Sequence, residues 1–198
     1  MIRGDRMTAR RQGGSDSAAT RKAILDATAK IMREEGYAAV SSRRVAEQAG
    51  LKSQLVHYHF GTMDNLFLAL FRRSEEEFLS RQVKALTSPH PIRSLWELSL
   101  ESDTELTLEF IALAIHRKAI GAELARANEL TRAIHTAVIT HALGRASKVA
   151  GEIPPEVFAF LIAAITRTMV TEEALGASGA HPAVRAFVER QLEKLEPR

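Results

Sequence analysis

The chain has 198 residues, 45% hydrophobic and 26% charged, enough for one mid-sized domain or for a small domain joined to a larger one. That balance excludes a disordered chain, and no apolar run reaches the ~18 residues a bilayer-spanning helix needs. Cysteine is absent, which excludes thiol chemistry, disulfides and Cys-based zinc sites. The basic N-terminus has no apolar centre, so a secretory signal is not expected and a cytoplasmic location is.

Charge is unevenly placed. Residues 1–59 carry 11 Lys/Arg against 6 Asp/Glu, a net of +5, whereas residues 60–198 carry 16 against 18, a net of −2. A basic third on a slightly acidic body is the pattern of a polyanion-binding module attached to a part with another task.

In chain order, residues 1–19 show no apolar period and are expected to form a flexible basic arm. From Thr20 the period changes. Ile24, Thr28, Ile31 and Met32 fall on one side of a helix that Gly36 stops. Ser41 or Ser42 can cap a short helix burying Val45, Ala46 and Ala49, ended by Gly50. Only about two turns, through LKSQLVHYHF, fit before Gly61. Thr62 opens a longer helix with Asp64 in its first turn, and Pro89 and Pro91 stop it. Further helices are expected over PIRSLWELSL, over TELTLEFIALAIHRK, from about Ala119 to Val149, over VFAFLIAAITRTMVTEEAL and over AVRAFVERQLEKL, with Gly151 and Pro154-Pro155 as a break. No stretch alternates as a strand does, so the fold class is all-α, with about nine helices joined by short loops.

The unit SSRRVAEQ, AGLK, SQLVHYHF is helix, Gly-containing turn, short helix. Small residues at Ala46 and Ala49 permit a close crossing, with Val45, Leu51 and Val56 as the apolar contact. The second helix is too short to be stable alone and reads as a probe held by its neighbours. His57 and His59 stand roughly 200° apart around such a helix and cannot share one ion. His116, His135 and His141 are isolated along the chain and read as polar groups at helical interfaces. No metal and no cofactor are expected. No nucleophile–base pair, Gly-rich phosphate loop or carboxylate pair supports an enzyme.

Residues of about 20–66 resemble the DNA-binding domain of the TetR family of bacterial transcriptional regulators. The similarity lies in the stretch Ala29 to Tyr37, in V-A-E-x-A-G (Val45 to Gly50) and in V-H-Y-H-F-x-T-M-D-x-L (Val56 to Leu66). It implies a helix-turn-helix DNA-binding domain over residues 20–64, with three helices, and a helical ligand-binding and dimerisation domain over residues 65–198. Where the family often has Ser at the start of the recognition helix, Lys early in the fourth helix and Tyr in the probe, this chain has Lys52, Met63 and His57. Ser53 is expected to take over the cap.

By that resemblance Ser53, Gln54, Leu55, His57 and Tyr58 face the major groove. Gln54 suits adenine and Leu55 a thymine methyl. Lys52, Ser42, Arg43, His59 and Thr20 (at the first helix start) position the phosphate backbone, with Arg43 favoured over Arg44. Arg10 and Arg11 reach an adjacent groove or add counterion release. The implied function is a dimeric ligand-responsive transcriptional regulator, of repressor type, that binds a palindromic double-stranded DNA operator and releases it on binding a largely apolar small-molecule effector. Candidate effector contacts are Trp96, Glu109, Phe110, His116 and Phe158, several of which also suit plain core. Glu109 either pairs with Arg117 or Arg132 or faces a cavity. Ala159, Ala163, Thr168, Phe187 and Gln191 are the candidate homodimer interface. The alternative is a helical adaptor or small-molecule-binding protein without specific DNA binding. Partnership with a membrane is not expected.

Overall fold

The computed structural model describes residues 5–101, 103–145 and 153–196. Among them are nine α-helices, one 3-10 turn and no strand. The helices are α1 (Asp5–Glu35), α2 (Ser42–Ala49), α3 (Ser53–Phe60), α4 (Met63–Leu86), α5 (Pro91–Leu100), α6 (Thr104–His116), α7 (Lys118–Arg145), α8 (Pro155–Ala174) and α9 (His181–Leu195). The chain divides into two compact units, residues 1–72 and 73–198. The expected break at Gly151 lies outside the described residues. No helix among the described residues is long and apolar enough to cross a membrane.

In the first unit α1 buries Ile24, Thr28, Ile31 and Met32, the stripe its period foretold, and Leu25 beside them, with the Thr28 hydroxyl donating to the Ile24 carbonyl at 2.8 Å. The helix starts earlier than expected, at Asp5, and so runs through most of the segment read as an arm. Residues 5–19 carry no apolar stripe in the sequence, so there was no helical period to detect. Extending an existing helix also avoids the nucleation cost. Thr20 therefore lies inside α1, its hydroxyl donating to the Asp16 carbonyl at 2.8 Å, and not at a helix start.

Ser41 caps α2, its hydroxyl accepting the Arg44 N–H at 3.2 Å. At the other end Gly50 takes φ 67°, a left-handed turn that a Cβ would strain, and the Leu51 N–H reaches back to the Ala46 carbonyl at 2.8 Å. That closure aims α3 across α2. Val45, Ala46, Val56 and Phe60 are buried between these helices and α1, together with Leu66, Phe67, Leu70 and Phe71 of α4. Thr62 caps α4 through the Asn65 N–H at 3.2 Å, and the Asn65 side-chain amide donates to the Phe60 carbonyl at 3.1 Å, closing the α3–α4 junction.

The second unit packs α5, α7, α8 and α9 around Ile92, Trp96, Ile139, Leu143, Ile162, Met169 and Leu192. Proline opens α5, α8 and α9 in their first turns, where its missing N–H costs nothing. Although its sequence is apolar nearly all round, α6 buries a single stripe of Leu106, Phe110 and Leu113 and leaves Ile115 76% exposed. The N-terminus of α5 is capped from the far end of the chain. The Glu196 carboxylate, itself buried, accepts the Ile92 N–H at 2.9 Å and the Arg93 N–H at 3.0 Å. Arg93 in turn reaches Glu189 at 2.5 Å and Glu193 at 3.5 Å, so the α9 C-terminus and the α5 N-terminus are held by opposite charges.

Candidate nucleic-acid interface

Eight residues give α3 a length of about 12 Å, enough to lay one face along a groove. Its inward face is Val56 and Phe60, both buried. Its outward face is Ser53, Gln54, His57 and Tyr58, all exposed, preceded by exposed Lys52. Tyr58 is 80% exposed, an unusual setting for a large ring, and meets its neighbour His59 edge-on at 5.2 Å between centroids. Leu55 and His59 sit half-buried at the flanks, His59 turned toward Phe60 with its ring centroid 6.4 Å away. Lys52, not Ser53, occupies the N-cap position, and no side chain makes a cap bond there. The Ser53 hydroxyl is thus released from the capping role expected of it.

His57 Nδ1 lies 3.4 Å from the Gly61 carbonyl. A carbonyl only accepts, so in this long contact the ring can take part only as a donor. The imidazole presents ring nitrogens to a base edge, whereas tyrosine at the same position would present a hydroxyl.

The two arginines of α2 have separate fates. Arg44 is spent on Glu35, with Nη2 to Oε1 at 2.5 Å and Nε to Oε2 at 3.3 Å, and this pair holds the Glu35 carboxyl below its usual pKa and the guanidinium above its own. Arg43 is exposed, and Ser42 is half-exposed beside it. Arg21, which the sequence reading passed over, lays its guanidinium 5.1 Å from the Phe60 ring and ties α1 to the base of α3. The side chains of Arg10 and Arg11 lie outside the described residues. Among the described residues no group of three His, Asp or Glu could hold a metal ion.

In the second unit the sequence-derived effector set is dispersed. Trp96 and Phe110 are core, and Phe158 packs on the core around Trp96. Glu109 is half-buried on α6, and His116 is exposed at that helix's last turn. Of the dimer candidates, Thr168 and Phe187 are exposed, with Ala163 and Gln191 half-buried. Ala159 is not available to a second copy: it is 1% exposed, buried by the chain's own α5, α7 and α9. Being small, it read as an interface residue when it is in fact a close-packing residue of the core.

What the sequence reading missed is a cleft of about 120 Å³ between α7 and α8. Asn128, Thr131, Arg132 and His135 line it from α7; Ala159, Phe160, Ala163, Ala164 and Arg167 line it from α8. The signal was there in the spacing, since each helix supplies an i, i+3, i+4, i+7 stripe facing the other.

Residues 24–70 match the family described as bacterial regulatory proteins, tetR family. Over that span the chain matches the TetR family's DNA-binding module. Similar curated proteins include the HTH-type transcriptional regulator BetI of Rhizobium meliloti, 26% identical over 87 residues that make up 42% of this chain and 43% of that protein. The HTH-type transcriptional repressor AcnR of Corynebacterium glutamicum is 38% identical over 53 residues, 27% of this chain and 28% of AcnR. The chain thus matches less than half the length of these curated relatives. Solved TetR-like folds extend the likeness beyond the DNA-binding module. A TetR transcription regulator from Haloarcula marismortui is 21% identical with a TM-score of 0.69, covering 90% of this chain and 92% of its own. A transcriptional regulator from Saccharomonospora viridis, solved in complex with choline, is 19% identical with a TM-score of 0.76, covering 87% and 96%. In this TetR-family module the matched span, 24–70, contains all of α2 and α3 and the start of α4.

Proposed function

We propose that the chain is a homodimeric, ligand-responsive transcriptional regulator of repressor type that binds a palindromic double-stranded DNA operator through α3. The observation that carries this reading is the outward face of α3: a basic, polar and aromatic surface exposed on a two-turn helix whose other face is fully buried. Gln54 and His57 read base edges, Leu55 meets a thymine methyl, and Lys52, Arg43 and Ser42 position the phosphates. Tyr58 extends the same surface toward the backbone or a base edge.

One two-turn helix reads only a few base pairs, so useful specificity requires two copies spaced about one turn of DNA apart. On α8 the exposed Val157, Leu161 and Thr168 recur at helical spacing along one stripe, and α9 adds Phe187, 54% exposed. These faces would meet their equivalents in a second copy. An effector bound by residues 73–198 shifts the population toward dimers whose probes are wrongly spaced, with α4 as the helix common to both units. Selection from random duplexes should enrich a two-fold symmetric sequence with half-site centres about 10 base pairs, or a multiple, apart. Enrichment of nothing beyond bulk DNA would support the helical adaptor or small-molecule-binding protein instead.

A further inference from the structure

The α7–α8 cleft combines features that plain packing does not explain. His135 is 3% exposed, lines the cleft, and its Nε2 is buried without a hydrogen-bond partner. Such an orphaned polar atom is costly unless something else satisfies it. Two guanidinium groups, Arg132 and Arg167, line the same space, and no acidic residue does. Arg132 sits 5.6 Å from the Phe160 ring and 3.6 Å from Glu129 on its own helix, an exposed pairing of little strength. On α8, across from Arg132 and His135, Ala163 and Ala164 leave room and an apolar floor.

We infer that this cleft binds a small carboxylate, its acid group held by Arg132, Arg167 and the Nε2 proton of His135, its short apolar body lying on Phe160, Ala163 and Ala164. The inference deepens the proposed function, on which it rests for the effector role, by naming the effector class. Planar guanidinium forks match a carboxylate, and burial holds His135 neutral, its pKa lowered from 6.5 to about 4, so that it offers one N–H without adding a buried charge. A volume of about 120 Å³ suits a molecule of the size of benzene, which fills a cavity of about 150 Å³, and excludes drug-sized ligands. A quaternary ammonium such as choline is disfavoured, because it would face two cations and because the one aromatic ring of the lining already carries a guanidinium.

The test is calorimetric titration and thermal melting of the full chain with acetate, propionate, butyrate, succinate and choline. Propionate or butyrate should bind saturably and raise the melting temperature, with choline inert. Arg167→Ala, at an exposed position, should keep the fold and weaken that binding about tenfold or more, the cost of one lost charge-assisted contact. The nitrogen resonances of His135 should shift on binding in the wild-type chain. Absence of carboxylate binding, binding unchanged by Arg167→Ala, or a shift in dimer dissociation by Arg167→Ala without any carboxylate effect would each overturn the site. The last would mean that a second copy covers the cleft. Carboxylate binding that leaves operator affinity unchanged would uphold the site and refute the effector role. Operator release by choline alone would refute the site and leave the regulator reading standing.

Discussion

Glu35 and Arg44 form a two-pronged ion pair between the end of α1 and the first turn of α2, while Arg43, one residue earlier, stands exposed. Neighbouring arginines therefore have different work. Arg43→Ala should weaken binding to all duplexes alike and reduce the slope of log affinity against log salt by about one. Arg44→Ala should instead lower the melting temperature and leave that slope nearly unchanged. Salt titrations of both variants by fluorescence anisotropy separate the roles; equal slope changes would contradict them.

Gln54 is exposed on the outward face of α3 and is proposed to bond an adenine edge with both amide groups. Gln54→Ala should cost about 1–3 kcal/mol on the preferred sequence and far less on one mutated at the contacted position. Uniform loss across sequences would make Gln54 a phosphate contact. His57→Tyr, which replaces the ring nitrogens by a hydroxyl, should change base preference at its own position more than it changes overall affinity.

How much of this was legible beforehand depended on which physical signal each part carries. The α1 stripe, the Gly50 turn and the inward Val56 of α3 follow from periodicity and turn chemistry, which are local, whereas the outward Gln54, His57 and Tyr58 were legible only through the family resemblance. Glu196 capping α5 was invisible because it spans 104 positions of sequence and no local pattern announces such a partner. Trp96 and Phe158 misled in the opposite direction: aromatic residues serve core and pocket equally, and only packing tells them apart. His135 looked isolated because its companions Arg167 and Phe160 lie on another helix.

The pKa of His135 implies a dependence of stability on acid. Burial lowers it from 6.5 to about 4, so below about pH 6.5 the unfolded chain takes up a proton that the folded chain refuses. The stabilisation is complete above the unfolded value and is lost as pH falls toward 4, by up to about 3 kcal/mol for this one group. His135→Leu should remove that part of the fall. Urea midpoints of both proteins at about pH 7 and about pH 4.5 measure it, and an equal drop in the two would contradict the assignment.

The cap on α5 makes a second stability prediction. Glu196→Ala leaves two backbone N–H groups without their acceptor and should cost about 1–3 kcal/mol, read as a lower urea midpoint with an unchanged slope. Since Glu196 is no part of the DNA-facing surface, the variant should bind DNA normally at low temperature. No change in midpoint would mean water replaces the carboxylate at no cost.

Phe187, exposed on α9, is proposed to be covered by a second copy. Phe187→Glu would place a carboxylate in that contact and should shift sedimentation toward a monomer by raising the dimer dissociation constant at least about tenfold, through desolvation and like-charge repulsion. An unchanged dimer would relocate the interface.

The most direct measurement of the central claim is the affinity of the wild-type chain for its selected duplex against a scrambled duplex of equal length and composition, at one moderate salt concentration. A regulator reading bases through α3 should prefer the selected sequence by about a thousandfold or more, with the preference reduced by Gln54→Ala. Equal affinity for both duplexes would contradict it and reduce the basic N-terminal third to a non-specific polyanion surface.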